Sequence, residues 1–74
     1  MEDLLKRIEI NPEKLLGKPV IKGTRIPVHL IVELVAEGLS PEEILKEYPE
    51  LELQDIKAAL LYAAKVLERE IIVS

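Results

Sequence analysis

The spacing of turn-forming residues divides this chain into two unlike parts. Asn11-Pro12, Gly17-Lys18-Pro19 and Gly23-Thr24 interrupt the N-terminal third at short intervals, and Pro27 follows. The apolar pieces left between them, Ile8-Glu9-Ile10, Val20-Ile21 and Ile26, are too short for helices and predict short strands or an extended arm. Gly23 stands where a tight reversal would join Val20-Ile21-Lys22 to Thr24-Arg25-Ile26 as a small hairpin. A hairpin this short is not stable alone, so it must lie on something else.

From Pro27 onward the pattern is helical. Proline suits a first helical turn, where its missing N–H would be unpaired anyway. Val28, Ile31, Val32 and Val35 recur at three- and four-residue steps, and Gly38 supplies a stop. Ser40-Pro41-Glu42-Glu43 is a capping box that opens a brief helix with Ile44, Leu45 and Tyr48 inward, ended by Pro49. A longer helix is predicted from about Leu53 to Glu70, with Leu53, Ile56, Leu60, Ala63/Ala64 and Leu67 facing the core. The chain of 74 residues is thus expected to form a single domain: an N-terminal β-arm or hairpin over 1–26, a three-helix helix-turn-helix bundle over 27–70, and an apolar tail over 71–74.

Composition decides what such a domain can do. Leu, Ile and Val supply 28 residues, too many for a disordered chain. A domain of this size leaves a large share of its surface unburied, which favours a homodimer or a tight partner. There is no cysteine, so zinc-thiolate sites, disulfides and thiol nucleophiles are excluded. His29, the sole histidine, lies four residues before Glu33 and reads as a boundary residue rather than a general base. Gly17-Lys18-Pro19 lacks the rest of a phosphate loop. No catalytic residue, metal or cofactor is expected, and the protein reads as a binder rather than an enzyme. No apolar run reaches the roughly 18 residues of a membrane span, and Met1 leads into Glu2-Asp3 rather than a basic leader. A cytoplasmic protein without a membrane partner is expected, and the excess of Glu and Lys over Asn and Gln leans toward a thermophilic source.

The net charge of -4 is the sum of two unequal parts. Residues 1–32 carry +2 and residues 33–74 carry -6; within 14–25, Lys14, Lys18, Lys22 and Arg25 stand without a single acid. Such an arm can orient a polyanion or an acidic partner, or merely stay solvated. Arg25 could grip phosphate through its planar fork. The reading favoured from the residues is instead that it pairs with a glutamate of the bundle and pins the hairpin. On the long helix, Gln54, Lys57, Ala58, Leu61, Lys65 and Arg69 are expected to face away from the core, where Gln, Lys and a small Ala suit entry into a major groove. Against that, residues 39–52 hold five glutamates and one lysine.

Four ordered motifs carry a family resemblance. Gly17-Lys18-Pro19-Val20-Ile21-Lys22-Gly23-Thr24-Arg25-Ile26-Pro27-Val28 comes first, then Glu37-Gly38-Leu39-Ser40-Pro41-Glu42-Glu43-Ile44-Leu45. Tyr48-Pro49-Glu50-Leu51 and Asp55-Ile56-Lys57-Ala58-Ala59-Leu60 with Tyr62-Ala63-Ala64 follow. Together, over roughly Ile8 to Leu67, they resemble the domain of unknown function 433 family. That resemblance implies a homeodomain-like helix-turn-helix fold and the role of antitoxin in a type II pair, with a PIN-like ribonuclease as cognate toxin. One departure is local: Glu52 stands where such proteins often place the Thr or Ser that opens the third helix.

The expected partners are therefore a second copy, a cognate toxin protein and double-stranded DNA. DNA contacts are assigned to Lys18, Lys22, Arg25, Gln54, Lys57, Ala58, Leu61 and Lys65. Partner or dimer contacts are assigned to Ile8, Ile10, Tyr62, Val66, Ile71, Ile72 and Val73. The competing reading is a protein-interaction or oligomerisation module without any DNA role.

Overall fold

The computed structural model describes residues 2–70. A single helical turn, α1 (Glu2–Leu5), precedes strand β1 (Ile8–Glu9), a 3-10 turn (Leu15–Gly17) and strand β2 (Val20–Ile21). Helices α2 (Val28–Ala36), α3 (Pro41–Glu47) and α4 (Leu53–Glu70) complete a mainly α bundle with a short antiparallel β pair. The expected fold class holds, and the three helix ranges match the sequence pattern closely.

The N-terminal part is folded differently from a lone hairpin. The reversal at Gly23 is present: its φ of 82° is left-handed, the Ile21 N–H donates to the Ile26 carbonyl at 3.0 Å, and Val20 bridges Pro27. The Thr24 hydroxyl locks the turn, donating to the Ile21 carbonyl at 2.8 Å and accepting from the Ile26 N–H at 3.0 Å. The named strand partner of β2, however, is β1, with Ile8 opposite Ile21 and Glu9 opposite Val20. β2 is thus flanked on both edges. That suits Val20 and Ile21, which are both buried and would otherwise hold unpaired backbone groups out of water.

Each helix boundary has a visible cause. Pro27 is the N-cap of α2 rather than its first helical residue, and the Val28 N–H instead donates to the Pro19 carbonyl at 2.9 Å. α2 ends as Leu39 N–H reaches back to the Leu34 carbonyl at 3.1 Å over Gly38, whose φ is 98°. At α3 both arms of the capping box form: the Glu43 N–H donates to Ser40 Oγ at 3.2 Å, and the Ser40 N–H to Glu43 Oε1 at 2.8 Å. Ile21, Ile26, Val28, Ile31, Ile44, Leu51, Ile56 and Ala59 form the core. Leu45 and Tyr48 pack at its edge, as their spacing predicts.

The phase of α4 differs from the expected one. Its buried residues are Asp55, Ile56, Ala58 and Ala59, whereas Leu53, Leu60 and Leu67 are exposed. Assigning the leucines inward fails because apolar residues surround most of this helix, so size does not mark the packed face. Ala58 and Ala59 mark it with Ile56, since small side chains let neighbouring elements approach closely, whereas Ala64, expected inward, is exposed and Ala63 half-buried. α4 is packed by α2 and also by α1 and β1, elements that a reading of 1–26 as an arm did not place on it. Ala58, expected on the outward face, is consequently fully buried.

Candidate functional site

Three surface features gather the chemistry of this small domain. The first is the loop between β1 and β2. Asn11 starts it: its Oδ1 accepts the Glu13 N–H and its carbonyl accepts the Lys14 N–H, both at 2.8 Å. Leu15, Leu16 and Gly17 then all take left-handed torsions, with φ of 47°, 58° and 82°. Glycine adopts this region freely, but leucine does not, at a cost of roughly 1–2 kcal/mol per residue. The Gly17 N–H to the Lys14 carbonyl at 2.9 Å and the Lys18 N–H to the Leu15 carbonyl at 3.2 Å hold the turn closed. The outcome is a Leu16 side chain that is 94% exposed.

Charges around this loop are sorted. Lys14 Nζ donates to Glu9 Oε1 at 3.2 Å with both side chains mostly covered, and this ammonium holds the Glu9 carboxyl below the usual glutamate range. Lys14 is therefore occupied inside the molecule. Lys18, Lys22 and Arg25 are exposed and form no ion pair among the described residues. The expectation that Arg25 pins the hairpin to a glutamate is corrected here. Arg7 does that work.

The second feature is the start of α4. The Glu52 N–H donates to Asp55 Oδ2 at 2.8 Å, so Asp55 supplies, from the first turn, the arm of a capping box that reaches back to the N-cap. Arg7 Nη1 reaches Glu52 Oε1 at 2.8 Å and Asp55 Oδ1 at 3.0 Å. The hydrogen bonds that the guanidinium donates to Glu52 and then Asp55 push its pKa above the ordinary value. The Arg7 carbonyl meanwhile accepts the Lys22 N–H at 2.7 Å, tying arm and helix together. Lys6, Arg7, Lys22, Glu50, Glu52 and Asp55 line a cleft of about 410 Å³ there, with both signs of charge. Farther along α4, Gln54, Lys57, Lys65 and Arg69 are exposed as expected and Leu61 is half-buried. Lys65 lies 3.9 Å from Glu68. Ala58, being buried, is removed from any DNA-facing set.

The third feature is an apolar groove of about 330 Å³ between α2 and α4, walled by Val28, Val32, Tyr62, Ala63, Val66 and Leu67. His29 and Glu33, 3.8 Å apart and both exposed, sit at its rim. Of the residues assigned to partner contact, Tyr62 and Val66 meet here. Ile8 does not: it packs half-buried against the core from β1, while Ile10 is exposed in the loop. Ile71, Ile72 and Val73 lie outside the described residues. Among the described residues no cluster of three His, Cys, Asp or Glu is placed to hold a metal ion, and no helix is long and apolar enough to cross a membrane.

Leu16, Arg7, Asp55 and the outward Leu67 were not picked out as site residues from sequence. For Asp55 a signal existed: an acid three residues after Glu52, just before an apolar run, has the spacing of a helix start. For Leu16 there was none, because leucine gives no hint of left-handed torsion.

The sequence pattern of the family described as "Protein of unknown function (DUF433)" matches residues 8–63, which include β1, β2, α2, α3 and the first part of α4. The chain belongs to this family. A crystal structure of a DUF433 member from Anabaena variabilis ATCC 29413 superposes with a TM-score of 0.79 at 34% identity, covering 92% of this chain and 67% of that one. The uncharacterized protein y4eO of Sinorhizobium fredii (strain NBRC 101917 / NGR234) is 39% identical over 66 residues, 85% of this chain. The chain spans only 30% of that relative's length.

Proposed function

We propose that this DUF433 protein is an antitoxin: it binds and neutralises a cognate PIN-like ribonuclease through the loop between β1 and β2. The observation that carries this reading is Leu16, 94% exposed on left-handed backbone in a loop closed by its own hydrogen bonds. An apolar side chain presented at a conformational cost fits a role outside the domain, because nothing inside it gains from the arrangement. Lys18, Lys22 and Arg25, exposed in the same acid-free segment, complement a partner surface rich in carboxylates. A nuclease that gathers acids at its active centre presents such a surface.

A second reading, operator binding, draws on the engagement of Glu52 and Asp55 by Arg7. Their negative charge at the start of α4 is offset, which leaves Gln54 and Lys57 as exposed polar groups on the helix's first turns. The acids of α3 oppose it, since duplex affinity rests largely on neutralised phosphates.

The test is co-expression with the product of the neighbouring reading frame, followed by a ribonuclease assay. Inhibition by the wild-type protein and its loss in Leu16→Asp, at unchanged helix content, is the expected result. A neighbour without ribonuclease activity, or inhibition that Leu16→Asp leaves intact, overturns the reading.

A further inference from the structure

α4 buries Asp55, Ile56, Ala58 and Ala59 on one side, and its other side has a pattern of its own. Leu53, Lys57, Leu60, Leu61, Ala64 and Glu68 all fall within an arc of about 100° at 3.6 residues per turn. Five of them are exposed and Leu61 is half-buried. Lys57 forms no ion pair among the described residues, and Glu68 has only a loose contact with Lys65 at 3.9 Å. The order of residues along this arc is symmetric. The point midway between Leu61 and Ala64 is also midway between Lys57 and Glu68. In either direction from that point the arc meets an apolar residue first and then, about 8 Å out, a charge, positive on one side and negative on the other.

We infer that this face of α4 pairs with the same face of a second copy, the two helices running antiparallel about a two-fold axis at that midpoint. A two-fold interface must be self-complementary, and antiparallel pairing here meets that condition in charge. The axis sets Lys57 opposite Glu68 of the second copy, and the reverse pair forms by symmetry. Eleven residues is close to three whole turns, so Lys57 and Glu68 differ by only about 20° around the helix. They therefore stand on the same side of the contact line, and the opposed charges meet. Leu61 falls opposite Ala64 of the second copy, beside Leu60, and the small Ala64 allows close approach at the crossing. An unrelated helix would not require opposite charges at equal distances from an apolar centre. Duplex DNA fits poorly, because the arc holds one lysine and one glutamate and offers phosphates no net charge. The pairing covers Lys57 and so competes with operator binding through this face. It uses α4 and not the loop between β1 and β2, so it does not rest on the antitoxin reading.

Sedimentation of the purified protein tests it without any other component. Over a series from about 1 to about 500 µM the wild type is expected to approach twice its 8.4 kDa mass and to dissociate on dilution. Ala64→Arg places a good helix former at an exposed position, so helical circular dichroism should persist while association weakens at least about tenfold. Lys57→Glu and Glu68→Lys should each weaken it about tenfold, because the two-fold repeats each like-charge contact. Combined in one chain, the two exchanges should return association to the wild-type level. The two positions are about 16 Å apart along one helix, so that recovery arises between copies and not within one. A monomer throughout the series, a dimer that Ala64→Arg leaves intact, or a double variant that associates no better than the single ones overturns the inference.

Discussion

Removing the carboxylate of Asp55 is the sharpest way to ask what holds the N-terminal segment to the bundle. Only 6% of this residue is exposed, and its two oxygens have separate tasks. Oδ2 accepts the Glu52 N–H and thereby caps α4; Oδ1 accepts from Arg7, whose backbone is in turn bonded to Lys22 beside β2. Losing a hydrogen bond of this kind costs about 0.5–1.5 kcal/mol. The Arg7 contact adds less, because the guanidinium is partly in water and keeps Glu52 as a partner. Asp55→Ala is therefore expected to cost about 1–2 kcal/mol, a fall of roughly 5–15 °C in thermal midpoint for a domain of this length. Asp55→Asn should fall between, since its one carbonyl can cap the helix while its amide faces the Arg7 donors unfavourably. Urea unfolding at one fixed protein concentration is the assay, so that self-association does not move the midpoint. Pairing Asp55→Ala with Arg7→Met completes a cycle, and a non-additive result is expected for residues that share a hydrogen bond. An Asp55→Ala cost under about 0.5 kcal/mol, or an additive cycle, would refute the claim that this carboxylate links the two parts.

Three further outcomes follow from the same geometry. Ser40→Ala removes the hydroxyl arm of the α3 capping box, leaving only the arm from the residue-40 backbone N–H to Glu43, and should lower stability by about 1 kcal/mol in urea unfolding. Leu16→Asn should raise the thermal midpoint, by about 0.5–1 kcal/mol in stability, because asparagine tolerates left-handed torsion and the leucine makes almost no contact to lose. Glu9 binds its proton more weakly folded than unfolded, so its contribution is present above the unfolded glutamate pKa and is lost as pH falls through the lower folded value. Lys14→Met should flatten that acid loss of stability in thermal melts taken from neutral pH downward.

The helices were legible because their signals are local. Pro27, Gly38 and Ser40-Pro41-Glu42-Glu43 act within a few residues of themselves, and the chain folds as those residues dictate. The partnership of Ile8 with Ile21 was not legible, because two-residue strands carry almost no periodicity and the turn at Gly23 offered a nearer partner. α4 shows the same limit from the other side. Its apolar residues are too many to define one stripe, and the buried face is set by the docking of α2 together with α1 and β1, the last two some fifty positions away. The candidate sites divide likewise: exposed cations could be placed from their segment, whereas Leu16 and Leu67 depend on torsion and helix phase.

The exposed apolar residues bear on function more directly than the net charge does. Single leucines on a surface are ordinary and need no account. Here, among the described residues, they fall into two sets: Ile10, Leu15 and Leu16 belong to the loop between the strands, and Leu53, Leu60, Val66 and Leu67 to α4. Each large apolar side chain that is buried contributes about 1.5–3 kcal/mol, and a domain this small has few to spare for its surface. Two of these residues, Leu15 and Leu16, further sit on torsion that leucine disfavours, and Leu16 is almost wholly in solvent. A chain under selection for its own stability alone would replace Leu16 with a polar residue at little structural cost, since it touches so little. Its presence is accounted for when its burial occurs outside the monomer, against the acidic protein proposed as partner. Leu16→Asp separates this account from one of internal stability, because its effect on inhibition appears only when the partner is added.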